Sequence, residues 1–189
     1  MQELVERIQK EGIHIGGGIV KVDGFLNHQV DAGLMSRIGV ELANPFRTAG
    51  ISKVITAETS GILPALTTAN ELDCAVIYAR KQMSSSMQDD YFIAKAISRT
   101  RSNPVTLRIS KRYLTTQDRV LLIDDFLATG STLQALVAIV QQSGATLCGI
   151  GCVIEKPQEG GRERFSELQL PIVTLAKIAL HNDSLEVFE

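Results

Sequence analysis

Two periods of apolar spacing take turns along the chain, and together they predict a succession of strands and helices. The opening MQELVERIQKEG is an amphipathic, charged helix. Within residues 31–49, Leu34, Ile38, Leu42 and Phe46 recur at every fourth position, which lays one apolar stripe along a helix. KVITAE, residues 53–58, reads as a strand that closes on an acid and the turn TSG, and ILPALTTANEL follows with a helical pattern. CAVIYAR, residues 74–80, is another strand. The serine-rich KQMSSSMQDD has the composition of a mobile surface loop. YFIAKAISRT and PVTLRISKRYL alternate in part, which suits a two-stranded antiparallel excursion. VLLI, residues 120–123, returns to a buried strand, Ser131–Ser143 is a helix closed by Gly144, and ATLCGIGCVIEK is a further strand ending on polar residues.

Strands that are apolar throughout, alternating with helices, belong to a parallel sheet covered on both faces. The fold class is therefore α/β. In such sheets ligands bind outside the carboxyl ends of the strands. Those ends carry Glu58-Thr59-Ser60-Gly61, Arg80-Lys81, Asp124-Asp125 and Glu155-Lys156, so polar groups from separate segments converge on one edge. With neither an internal repeat nor a linker to divide it, the chain reads as one domain, residues 1–189.

Composition narrows the function. The 189 residues are 44% hydrophobic and 21% charged, ordinary values for a globular domain with a real core. A chain of this size buries roughly 70% of the surface that its unfolded form exposes. A net charge of −2 argues against a partner such as nucleic acid, which is gripped by a clustered cationic surface. One local cluster stands out: Arg99, Arg101, Arg108, Lys111, Arg112 and Arg119, with Asp118 the only acid among them. It is either the solvated face of a hairpin or a cationic flap over an anionic substrate. Cys74, Cys148 and Cys152 sit in apolar runs without a CxxC pair and read as reduced core residues of a cytoplasmic protein. His14, His28 and His181 are too scattered for a metal motif. The first residues lack the apolar stretch of a signal peptide, and no apolar run approaches the ~20 residues that span a bilayer.

The densest chemistry lies in VLLIDDFLATGSTL. Ala128 to Thr132 offer backbone N–H groups without large side chains, hydroxyls, and the positive end of a helix dipole, a combination that binds phosphate. Gly130 permits a backbone angle that other residues resist, and Ser131 or Thr132 can cap the helix. The loop is not a triphosphate P-loop, because the chain contains no Gly-Lys pair, and neither Gly16-Gly17-Gly18 nor Gly149-Ile150-Gly151 completes a dinucleotide fingerprint. Asp124 and Asp125 would repel a polyphosphate placed on them, whereas a carboxylate accepts the protons of sugar hydroxyls. A ribose 5-phosphate suits both halves.

LLIDDFLATGST closely resembles the phosphoribosyl pyrophosphate motif of type I phosphoribosyltransferases: an apolar strand, two acids, two apolar residues and a small-residue phosphate loop. The resemblance extends along nearly the whole chain through KVDGFLNHQVD, ETSGI, YARK, IDDFLATG and GIGCVIEK, and runs closest to the bacterial members that act on xanthine. It implies a central, mostly parallel sheet flanked by helices, with a small hood from residues 12–30 and the C-terminal residues, and a flexible antiparallel hairpin and loop, about residues 82–112, over the site. The implied reaction moves the 5-phosphoribosyl group from phosphoribosyl pyrophosphate to a purine base with magnesium as cofactor, in a homodimer.

The resemblance also assigns residues. Ala128, Thr129, Gly130, Ser131 and Thr132 would hold the 5-phosphate, Asp124 and Asp125 would face the ribose hydroxyls, and Glu58, Thr59, Ser60, Gly61, Arg80 and Lys81 would lie near the pyrophosphate. Lys81 would stabilise the leaving group, and magnesium would be held largely by substrate oxygens and water. The base would meet Val20, Asn27 and Lys156, with Phe126 near it; Asn27 and Lys156 can donate to the two carbonyls of xanthine. Hypoxanthine-guanine members carry an acid where Ala128 stands, so any general base here is Asp125, water or none. Xanthine-specific members have bulkier residues than Gly16-Gly17-Gly18 and a leucine in place of Val20. Two alternatives remain: another purine (guanine, hypoxanthine or adenine) as acceptor, or a donor sensor that does no chemistry. Known sensors of that kind carry an appended DNA-binding domain, for which the segment before the hood is too short.

Overall fold

The computed structural model describes residues 1–82, 90–97, 104–181 and 184–189, with the side chains of His181 and Ser184 excepted. Most of the serine-rich loop, together with Arg99 and Arg101, lies outside the described residues. The elements begin with α1 (Gln2–Glu11), a small hairpin of β1 (Ile13–His14) and β2 (Val20–Lys21), and α2 (Ala32–Ala43). There follow β3 (Lys53–Ala57), α3 (Ile62–Glu71), β4 (Ala75–Ala79), β5 (Tyr91–Ala96) and β6 (Val105–Ser110). The chain ends with β7 (Arg119–Leu127), α4 (Ser131–Ser143), β8 (Thr146–Glu155), β9 (Ile172–His181) and β10 (Ser184–Phe188).

Among the described residues the main sheet has six strands in the order β10-β9-β8-β7-β3-β4. All pairs are parallel except β9 with β10. In β7, side chains alternate between two cores: Leu121 and Ile123 pack with Leu34, Ile38 and Leu42 of α2, while Val120 and Leu122 pack with Leu133, Leu136 and Val140 of α4. This two-sided burial explains why VLLI is apolar throughout. Each such side chain contributes about 1.5–3 kcal/mol by leaving water. A half-exposed pair such as Arg37 with Glu3 is screened by solvent and contributes far less, so the two cores dominate.

The sequence pattern and the structure part at three places. The helix expected over residues 31–49 is capped by Asp31, whose Oδ1 accepts from Leu34 N at 3.0 Å, but it stops at Ala43. Asn44–Phe46 turn into a 3-10 helix there, with Pro45 unable to supply the next helical N–H, yet Phe46 still reaches the core. The strand expected over residues 120–123 runs on to Leu127, because β8 is long enough to pair with Asp124, Phe126 and Leu127. The acids therefore stand inside a strand rather than beyond its end. The third difference is the antiparallel β9–β10 pair at the sheet edge, which the apolar spacing did not predict although turn-favouring Asn182-Asp183 lie between its strands in the sequence.

The antiparallel excursion is present as β5 with β6, set apart from the main sheet. It joins β4 through reciprocal backbone bonds between Arg80 and Arg108 at 2.9 and 3.0 Å. Gln142 on α4 bonds to both the N–H and the carbonyl of Ile93. The three cysteines are free thiols, with Cys152 fully buried. No helix among the described residues is long and apolar enough to cross a membrane.

Candidate active site

The carboxyl ends of β3, β4 and β7 and the start of α4 meet at one edge of the sheet. After β3, Glu58 to Gly61 form a tight turn that begins with a cis peptide between Glu58 and Thr59. Glu58 faces the end of β4: its Oε1 accepts from Lys81 N at 2.5 Å, and its Oε2 lies 3.1 Å from Arg80 Nε as an ion pair. That pair is electrostatic only, since Arg80 Nε forms no hydrogen bond. Arg108 from β6 closes the corner by donating to the Lys81 carbonyl at 3.0 Å.

Asp124 is 8% exposed, and its Oδ1 accepts from the N–H of Asp125 at 3.0 Å. Burial, then the negative charge of Asp125, holds the Asp124 carboxyl well above the usual aspartate range, against the opposing pull of Lys81. Cys152, the cross-strand neighbour of Asp124, has its thiol pushed up mainly by burial and then by the two aspartates. A charge on Asp124 is therefore harder to hold than on an exposed aspartate, and a donor hydroxyl or a cation beside it would ease that cost.

Beyond the acids, Ala128 and Thr129 lead to Gly130 at φ 74°, a left-handed angle that favours glycine, and Ser131 then begins α4. The cap expected from Ser131 or Thr132 does not form: Gly130 is the N-cap and no side chain bonds to the helix start. Ser131 Oγ instead accepts from Ile97 N at 2.7 Å, at the end of the hairpin. The first-turn N–H groups, which have no acceptor within the helix, are left without a side-chain cap, as a phosphate site requires.

A cleft of about 230 Å³ unites Lys81, Asp124, Phe126 and the run Ala128, Thr129, Gly130, Ser131, Thr132 and Leu133. Its far wall is the hairpin, through Ala96, Ile97, Val105 and Leu107. Glu58, Thr59, Ser60, Gly61 and Asp125 stand beside this cleft without lining it. Arg80 and Lys81 diverge: Arg80 lines a separate cavity of about 470 Å³ with Lys53, Tyr78, Tyr91 and Arg108. Of the described members of the cationic cluster, Arg119 donates to the Ala49 carbonyl, Lys111 pairs with Asp90 and Arg112 lies over the Tyr113 ring, whereas Arg108 reaches the Lys81 carbonyl.

The hood reaches the site through Lys156. Its Nζ donates to the Gly18 carbonyl at 2.9 Å and lies 5.3 Å from the centre of the Phe126 ring. The three glycines, at φ 88°, 60° and 77°, make the turn between β1 and β2 that brings this carbonyl over. Val20 on β2 is buried in the core that Phe126 packs against. Asn27 ends a π-helical turn, Asp23–Asn27, and is exposed. Phe126, Lys156, Gly18 and Val20 thus gather together, Phe126 lining the cleft, while Asn27 is not among the residues that line it.

Glu155 does not face this site. It is 3% exposed and bound by Arg162 and Thr174. Burial raises its carboxyl, but the bonds from Arg162 and Thr174 and the Arg162 charge more than offset this and hold it below the usual glutamate range. Sequence reasoning passed over the segment that follows, QEGGRERF, in which Gly161 and Phe165 pack on the loop from Ala128 to Gly130. Its paired glycines, Gly160 and Gly161, a short turn beyond the end of β8, were the available signal.

Comparison with known proteins accords with this geometry. The phosphoribosyl transferase domain family matches residues 43–180. A xanthine phosphoribosyltransferase of Pseudomonas fluorescens strain Pf0-1 is 43% identical over 188 residues, spanning 100% of this chain and 99% of that protein. One from Oenococcus oeni is 44% identical over 185 residues, spanning 98% and 90%. Among solved structures, an adenine phosphoribosyltransferase from Rhodothermus marinus superposes with a TM-score of 0.75 at 22% identity, covering 94% of this chain and 99% of that one. The adenine phosphoribosyl transferase of Trypanosoma brucei, solved with AMP, pyrophosphate and ribose-5-phosphate, gives 0.76 at 19% identity, covering 92% and 79%.

Proposed function

The chain belongs to the phosphoribosyltransferase family, and from that membership we propose that it transfers the 5-phosphoribosyl group of phosphoribosyl pyrophosphate to xanthine. The products are xanthosine 5′-monophosphate and pyrophosphate, and the role is purine salvage. The observation that carries the donor half is the single cleft shared by Lys81, Asp124 and the loop Ala128 to Thr132. The acceptor half is supported by two relatives named for xanthine that match over 90% or more of their lengths.

In this reading the loop N–H groups and the hydroxyls of Thr129, Ser131 and Thr132 bind the 5-phosphate, and Asp124 and Asp125 accept from the ribose hydroxyls. The ribose C1 loses its bond to a pyrophosphate oxygen and gains one to a ring nitrogen of the base, whose proton leaves to Asp125 or water. Charge gathers on the departing pyrophosphate, where the Lys81 ammonium stabilises it. Glu58 to Gly61 and Arg80 border the same side. The hairpin, through Ile97, narrows the cleft against water that would hydrolyse the donor.

Magnesium fits the donor set. Asp124 lines the cleft and Asp125 stands beside it, which offers a cation few carboxylates. That is the environment of an ion held by few carboxylates and otherwise by substrate oxygens and water. When bound, it neutralises pyrophosphate charge. For the acceptor, Lys156 and Asn27 supply donors for the two xanthine carbonyls, Phe126 flanks the ring, and Val20 shapes the hood. We read residues 1–189 as one domain, working in the cytoplasm as a homodimer.

A product assay with phosphoribosyl pyrophosphate, magnesium and each purine in turn tests the reading. Xanthine is expected to give the highest kcat/KM. A higher value for guanine, hypoxanthine or adenine would change the acceptor and keep the donor; absence of product with every purine would remove the enzymatic reading.

A further inference from the structure

Glu155 closes β8 one residue before Lys156, and it sits in register with Leu127, the residue before the phosphate loop. Arg162 grips both of its oxygens, Nε to Oε1 at 2.8 Å and Nη2 to Oε2 at 2.6 Å, and Thr174 Oγ1 donates to Oε2 at 2.8 Å. The remaining guanidinium nitrogen, Nη1, donates to the Ile172 carbonyl at 3.0 Å. A fork of this kind fixes the plane of the guanidinium as well as its position, which a lysine cannot do. Neither Glu155 nor Arg162 lines the cleft, so the pair has no direct hold on a substrate there.

What the fork immobilises is the chain on either side of Arg162. On one side, a Cβ on Gly161 would collide with the Ala128 carbonyl and stand 2.9 Å from Gly130 N, so the Gly161 backbone lies directly on the phosphate loop. On the other side, the ring of Phe165 lies 3.1 Å from where a Cβ on Gly130 would be. The loop has a left-handed glycine at its end and no side-chain cap, so its shape is held from behind by these two contacts.

We propose that Arg162, clamped by Glu155, is a positioning residue for phosphoryl binding. It presses Gly161 and Phe165 against the back of Ala128 to Gly130 and keeps the loop N–H groups aimed at the 5-phosphate. The proposal rests on the assignment of that loop to the 5-phosphate. The pyrophosphate side, Glu58 to Gly61 with Lys81, is built on β3 and β4 and shares none of the fork's hydrogen bonds. The two halves of the donor site are therefore separable by experiment.

The test compares the full-length, magnesium-loaded enzyme with Arg162→Lys, which keeps charge and loses the fork, and Gly161→Ala, which intrudes on the loop directly. Inhibition constants are measured for ribose 5-phosphate and for pyrophosphate, each against the donor, with melting curves to verify folding. Displacement of the loop, through loss of the charge-assisted fork in Arg162→Lys and through the intruding Cβ in Gly161→Ala, is expected to weaken ribose 5-phosphate by about tenfold in each. Pyrophosphate should stay within about twofold, a split that general loosening of the fold would not produce. Unchanged ribose 5-phosphate inhibition, or equal weakening of both ligands, overturns the proposal. Failure of ribose 5-phosphate to inhibit the wild-type enzyme overturns the loop assignment beneath it, and so separates the two claims.

Discussion

Gly61 and Asp124 are packed so closely that a Cβ on the glycine would stand 2.8 Å from Asp124 Oδ1 and collide with Thr56 Oγ1. The turn after β3 and the acid of β7 therefore share one volume, and a change in either moves both. Gly61→Ala is expected to cost about 1–3 kcal/mol of stability through overpacking and to lower kcat/KM for the donor by about tenfold or more. Melting curves and steady-state kinetics check this. A variant with wild-type kinetics would show that the turn can yield without disturbing Asp124.

Asp124 itself responds to pH with a definite sign. Because burial and Asp125 raise its folded-state value, the protonated form is favoured by folding. Its contribution to stability is fully present below the ordinary aspartate value near 3.8 and is lost as pH rises through the folded value. Asp124→Asn cannot ionise, so at neutral pH it should be at least as stable as wild type, with the advantage shrinking as pH falls towards 3.8. Turnover should fall roughly 10- to 100-fold, the range for losing a charged hydrogen bond to substrate. Thermal melts across the pH range, paired with kcat, decide it; an Asn variant that is less stable at neutral pH would refute the burial argument.

Much of this site was legible because strands in a parallel sheet deliver their carboxyl ends to one edge. Glu58, Lys81, Asp124 and the loop from Ala128 needed only the order of the elements to be brought together. What pattern could not show was direction. Glu155 and Lys156 stand side by side in the chain, yet one is buried in a fork while the other reaches the hood at Gly18. Arg80 and Lys81 likewise line different cavities. Side-chain direction at a strand end depends on the last paired residue, which apolar spacing does not mark once polar residues continue the strand, as they do in β7.

Glu155 provides the opposite pH dependence. Burial opposes its ionisation, but Arg162 and Thr174 overcome that and lower its folded-state value below 4.5. Its stabilisation is present above 4.5 and is lost as pH falls through the folded value. Glu155→Gln leaves Arg162 with an incomplete partner and is expected to cost about 3 kcal/mol near neutrality, the low end for breaking a buried pair because Arg162 is partly exposed. The gap between mutant and wild type should close in acid, as seen by denaturant melts at several pH values. A constant gap would mean that packing, not charge, carries the effect.

Lys156 is the residue on which acceptor choice can be read most directly, since its ammonium lies over Phe126 and binds the hood carbonyl of Gly18. Lys156→Met keeps the length and apolar stem while removing the donor. The KM for xanthine is expected to rise roughly 10- to 100-fold while that for phosphoribosyl pyrophosphate stays within about twofold, because Lys156 does not line the cleft that holds the donor loop. Equal rises in both would place Lys156 in the fold rather than at the base. Guanine refines the answer, as it keeps one of the two carbonyls of xanthine and carries an amine at the other. If guanine loses as much as xanthine, Lys156 reads the shared carbonyl; if xanthine alone loses, Lys156 reads the carbonyl that guanine lacks and is itself the source of discrimination.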